Sequence, residues 1–231
     1  MKKEYFSIST IMSLFLIMLF SFFAHSAPTI GIYTLDDLKK IGSDPSYPLD
    51  GNYSLENDID ASDTHNWPNG FDPIGDEINP FIGNFYGNNH IIANLYIKRH
   101  SEDYVGLFSK IGGFGYGMVR ELNLVNLEIY GRNYVGGIAG SIGNGSISYC
   151  SVSGNISASG QCGGLVGNVV CGPTGSISIY WCYTLGNLRF EDYGGTYLKQ
   201  YFGGLIGEVV GPPLLSGSNV FLSHNYSQMD I

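Results

Sequence analysis

Charge is scarce in this 231-residue chain: Asp, Glu, Lys and Arg make up 13% of it, with 11 basic residues against 20 acidic ones. Phosphate recognition relies on clustered Lys and Arg, so neither nucleic acid nor an anionic lipid surface is expected as a partner. Cysteine is limited to four residues, Cys150, Cys162, Cys171 and Cys182, and no two of them stand as C-x-x-C. The histidines beyond the leader (His65, His90, His100 and His224) all lie outside the cysteine stretch. No zinc pattern results, and no metal or cofactor is expected on these grounds. After residue 23 no apolar run is long enough to span a bilayer as a helix, which takes roughly 20 residues. Helical periodicity is missing between Gly131 and Leu188.

The N-terminus supplies what a secretory signal needs. Lys2 and Lys3 form a basic start, Ile11 to Phe23 is almost unbroken apolar sequence, and Ala24 and Ser26 stand where small residues precede a cut before Ala27. Residues 1–26 are therefore predicted to be removed, leaving no membrane span. Two lysines and one glutamate go with them, so roughly 205 residues remain, with 9 basic and 19 acidic side chains and a net charge of −10. At 44% hydrophobic this remainder can bury a core, which argues against disorder despite 33 glycines.

An internal repeat organises the rest. Tyr104-Val-Gly-Leu-Phe108 is followed by Tyr134-Val-Gly-Gly-Ile-Ala-Gly140, Cys162-Gly-Gly-Leu-Val-Gly167 and Phe202-Gly-Gly-Leu-Ile-Gly207. Each copy precedes a run with alternating apolar and polar residues: Val119–Ile129, Ile147–Ile156, Ile177–Leu188 and Val220–Tyr226. Such runs read as short strands. A single repeat of this size cannot bury its own apolar face, whereas stacked coils can. The expectation is an all-β parallel β-solenoid (β-helix), in preference to a β-sandwich. Its paired glycines permit positive φ and close backbone approach at corners. At the N-terminal end, Thr34 and Asp37 form a capping box for a short helix carrying Leu35, Leu38 and Ile41, which covers the first coil. The organisation predicted is 1–26 signal, 27–103 cap and first coils, and 104–231 repeats. The last repeat is cut short near Ile231, leaving an edge open to edge-to-edge self-association.

Cys150 and Cys182 occupy matching places in consecutive runs, so stacking can pair them as a disulfide. Cys162 and Cys171 are then the remaining pair. The alternative is a ladder of buried thiols.

The sextets resemble the GLUG motif found in arrays in bacterial surface and secreted proteins. Tyr134–Gly140, Cys162–Gly167 and Phe202–Gly207 are the copies, with Tyr104–Phe108 a degenerate first one. Tyr33–Leu38, Gly51–Asp60, Phe71–Gly75 and Phe81–Ile97 resemble the leader and early coils of such arrays. The resemblance covers nearly the whole chain beyond the signal and implies a bacterial exported protein, placed in the periplasm, on the surface or outside the cell.

Chemistry is hard to place on these repeats. Glycoside cleavage requires paired carboxylates, yet Arg132 is the only charged residue from Gly131 to Leu188. No G-x-S-x-G elbow or Cys–His signature is present, so no catalytic residue is expected. Asp58, Asp60 and Asp63 form the best oxygen cluster for Ca²⁺, without an EF-hand or nonapeptide loop. Trp181, Tyr193 and Tyr197 are the candidate contacts for a glycan or surface protein. Three readings stand. One is a non-catalytic adhesin segment or surface spacer, the second a carbohydrate-binding module. The third is the repeat region of a secreted protease or autotransporter.

Overall fold

The structure is a computed structural model that describes residues 28–172, 175–191, 201–210 and 219–230. The proposed signal peptide lies outside these residues. Every pairing between named strands is parallel, and strands pair with their counterparts in adjacent coils. That is the parallel β-solenoid expected from the repeat.

Three faces build each coil. One face runs through Thr29–Ile32, Asn52–Leu55, Asn84–Tyr86, Gly117–Arg120, Gly145–Ser148, Ser176–Tyr180 and Asn219–Ser223. The second includes Ile59–Asp60, Ile91–Ala93, Asn123–Gly131, Ser151–Ala158, Tyr183–Phe190 and Tyr226–Asp230. The third comprises Phe108–Ile111, Ala139–Ile142, Val166–Val170 and Ile206–Val210. A short outer sheet, Val135–Gly136, Cys162–Gly163 and Phe202–Gly203, lies against this third face. The sextets are thus stacked in register: Val105, Val135, Cys162 and Phe202 form one column although the loops between them differ in length.

The interior is a set of aliphatic and aromatic ladders one strand spacing apart, about 4.8 Å. Tyr53, Phe85, Val119, Ile147 and Ile179 follow one another in register, and all are fully buried. Ile129, Ile156 and Leu188 form another buried column. Aromatic packing concentrates in the early coils, where Phe81 and Phe85 approach Phe108 at 4.8 and 5.6 Å between centroids. Ile179 is fully buried but its register partner Leu222 is half exposed, because none of the described residues stacks on that last coil.

Helix α1 (Leu35–Lys40) has the expected cap: Asp37 N donates to Thr34 Oγ1 at 3.1 Å, and Tyr33 N donates to Asp37 Oδ2. Leu38 and Ile41 are buried in the core and Leu35 packs against it.

The glycines of the sextet work differently from the expectation. None of Gly136, Gly137, Gly140, Gly163, Gly164 and Gly167 has positive φ. Their role is close approach alone. A Cβ on Gly136 would meet Gly167 N at 2.6 Å and Val166 Cα at 2.8 Å in the next coil. One on Gly167 would collide with the Tyr134–Val135 backbone of the coil before. The outer arm of each sextet is therefore seated directly on a neighbouring coil's backbone, with no room for a side chain. At one corner positive φ falls on bulky residues instead. Glu121, Tyr149, Trp181 and His224 all lie between 53° and 56° at one corner, and they divide each alternating run into two strands.

Candidate functional site

That corner column carries the most exposed ring system among the expected contacts. Trp181 is half exposed and sits between Tyr149, with ring planes 3° apart, and His224, with centroids 4.3 Å apart and planes at 9°. A left-handed conformation costs a non-glycine residue roughly 1 kcal/mol or more. Each corner N–H meets a carbonyl of the next coil: Glu121 to Ser148, Tyr149 to Tyr180 and Trp181 to Ser223. Together with the ring stack these bonds hold the corner open. His224 stacks on one face of the Trp181 indole, while Tyr149 lies parallel but offset, 6.5 Å away between centroids, and leaves the ring half exposed. Tyr193 and Tyr197 lie outside the described residues.

Asp58, Asp60 and Asp63 do not converge. Asp58 accepts from Ile91 N and from His90 Nδ1, each at 2.9 Å, while Asp60 accepts from Ser62 N and from Asn94 Nδ2 at 2.9 Å. These carboxylates tie the opening coil to the next one. Among the described residues no three His, Cys, Asp or Glu side chains are grouped to hold a metal ion. In Asp58 and in Asp60 one oxygen, Oδ1, takes both donors.

Backbone and imidazole donors hold the Asp58 carboxyl below its ordinary value of 3.8, and the Asn94 amide does the same for Asp60. A lowered folded-state value means stability that is present above the unfolded value and lost as pH falls through the folded one. The thermal midpoint is expected to hold near neutral pH and to fall below about pH 4. In Asp58→Asn this acid limb should be shallower; a limb of unchanged slope would show that Asp58 does not link the coils in solution.

Cys150 and Cys182 meet, as their matching places require. Ser148 pairs with Tyr180 and Ser151 with Tyr183, which puts the two cysteines level in adjacent coils, both buried. Cys162 and Cys171 do not meet. Cys162 lies against Gly207, the register partner of Gly167, and Cys171 follows four extended residues further on. Four strand residues span about 13 Å, beyond the reach of a disulfide. The second expected pairing is thereby corrected.

A coil-to-coil hub and an apolar prominence were not legible in the sequence. The Asp103 carboxylate accepts from Arg132 Nε and a terminal guanidinium nitrogen, both at 2.7 Å, and from Asn133 N and Nδ2. It joins the turns that lead into two successive sextets. Phe114 is fully exposed and Ile78 nearly so, flanking a hollow of about 400 Å³ that Pro80, Lys110, Gly143 and Val170 help to line. The signal for it was Phe114 inside the run Gly112-Gly-Phe-Gly-Tyr-Gly117, where no buried strand would form.

The model of the GLUG motif matches residues 131–157, which comprise the second sextet and the two strands after it. Over 159 residues the chain is 33% identical to halomucin of Haloquadratum walsbyi, covering 64% of this chain and 2% of that protein. Over 55 residues it is 44% identical to a protein of Evansella cellulosilytica described as a Gly-rich membrane protein, covering 24% of this chain and 6% of the other. The chain thus spans a small fraction of the curated relatives it matches. No solved structure matches it. Among the described residues no helix is long and apolar enough to cross a membrane. With an in-register stack of Gly-Gly sextets, one of them inside the matched stretch, the chain carries the GLUG motif at residues 131–157.

Proposed function

We propose that this chain is a non-catalytic, exported β-solenoid that serves as a spacer or adhesive segment at the cell surface. The observation that carries the reading is the poverty of the repeat in reactive groups. From Gly131 to Leu188 Arg132 alone is charged, and it is paired with Asp103. Two full coils thus offer neither a carboxylate pair nor a general base. The relatives support a surface location by name, one a halomucin and the other a Gly-rich membrane protein. Both are much longer than the stretch they share with this chain, as expected for a unit within an extended array.

For the adhesive role the partner proposed is a surface protein, contacted through Phe114 and Ile78. A glycan reading centred on Trp181 is disfavoured because sugars stack on open ring faces, and one face of this ring is already stacked on His224. Self-association belongs to the same proposal, through the exposed Val209, Val210, Phe221 and Leu222 of the last described coil.

The test is protease shaving and antibody labelling of intact cells producing the chain with an internal tag. Labelled protein lacking residues 1–26 is expected. Retention inside the cell with an intact N-terminus would sink the reading. So would turnover of a polysaccharide or peptide that disappears when a residue of this chain is mutated. Phe114→Ser is expected to weaken adhesion of displaying cells several-fold with an unchanged unfolding midpoint.

A further inference from the structure

Cys150 and Cys182 occupy the interior of the same corner that carries Tyr149 and Trp181. Their column reads Leu122, Cys150, Cys182 and Asn225 in four successive coils, as the flanking register shows. Adjacent level positions in a parallel sheet stand about 4.8 Å apart at Cα, inside the 4.4–6.8 Å window of a disulfide. The two thiols are close enough to hydrogen-bond each other. Each also donates towards a carbonyl two residues back: Cys150 Sγ to Ser148 O at 3.2 Å, and Cys182 Sγ to Tyr180 O at 3.5 Å.

From this geometry we infer that Cys150 and Cys182 form a single disulfide stapling one coil to the next, while Cys162 and Cys171 stay as thiols. A cross-link removes two S–H donors, so the carbonyls they served must have other partners. They do. Ser148 O also accepts from Glu121 N at 3.0 Å, and Tyr180 O from Tyr149 N at 3.1 Å. Oxidation therefore leaves both of these carbonyls satisfied. The neighbouring coils show why the staple ends here. Below, Leu122 fills the column with a hydrocarbon side chain. Above, Asn225 ties the last described coil by accepting from Cys182 N and donating to Ile179 O.

In the reaction two S–H bonds break and one S–S bond forms. Two electrons and two protons pass to a disulfide donor, small-molecule or protein, which leaves as two thiols. Thiolate is the attacking species; burial pushes the Cys150 thiol up, while its hydrogen bond with Cys150 pulls the Cys182 thiol down. Both sulfurs are buried in the closed corner, so an external oxidant reaches them while the coils assemble.

The test is to refold the reduced chain in a glutathione redox buffer and then alkylate it under denaturing conditions, with and without prior reduction. Two alkyl groups without reduction and four after it are expected, with one cross-linked peptide pair joining Cys150 to Cys182. Four alkyl groups without reduction would overturn the inference, as would any linkage through Cys162 or Cys171. The outcome is independent of where the protein is located in the cell.

Discussion

Replacing Gly167 by alanine is expected to destabilise the protein by about 3 kcal/mol, at the upper end of the range for forcing an extra group into a packed interior. The added Cβ would overlap the Tyr134 carbonyl carbon and the Val135 nitrogen, and would approach Gly140 O to 2.8 Å. All three obstacles are backbone atoms of the preceding coil, so no rotamer change relieves them. The outer arm would have to lift off the third face, opening the buried positions Val135 and Val166 to water. Gly172→Ala is the control. Among the described residues nothing lies within 4 Å of a Cβ there, and its φ is not positive. That change is expected to be neutral, or to stabilise by up to about 1 kcal/mol through the unfolded chain. Guanidinium unfolding midpoints of the two variants decide the matter, and equal midpoints would refute the close-packing account of the motif's third glycine.

Phe108→Ala is expected to cost about 4 kcal/mol. Phe108 is fully buried where the early, aromatic coils meet the later, aliphatic ones. Phe81 and Phe85 lie beside it, and its register partner in the next coil is Ala139. Alanine there cannot lean into a vacancy, and the flanking rings are held by strands on both sides. The cavity therefore remains, and cavity volume is what separates costly from tolerated truncations. Phe108→Leu, which keeps most of the volume, should cost less than half as much. If the two variants unfold at the same denaturant concentration, the column is plastic and the packing argument fails.

Much of the architecture was legible because it is periodic. Sextets recurring at uneven intervals require a fixed unit joined by loops of variable length, and the parallel register of Val105, Val135, Cys162 and Phe202 is that unit. The capping box at Thr34 and Asp37 was equally readable, since it depends on residues three apart in the chain. Candidate sites fared differently. Cys150 and Cys182 could be aligned from matching places in two runs. The separation of Cys162 from Cys171 needed the path of Val166–Val170 between them.

Sequence alone therefore determined the β class, the stacking of coils and the shortage of reactive groups on them, because composition and period act locally or repeat. Tertiary structure decided three further things. It assigned the sextet glycines to steric contact rather than positive φ, since the atoms they avoid belong to coils about 30 residues away. It placed Tyr149, Trp181 and His224 in a left-handed corner that local preference reserves for glycine and asparagine, where ring stacking and N–H bonds between coils outweigh the intrinsic cost. It also set Trp181 in a column of rings, with one face stacked on His224 and Tyr149 parallel but offset on the other side. Each of these outcomes depends on what the adjacent coil presents, and no window of sequence contains its own neighbour in the stack.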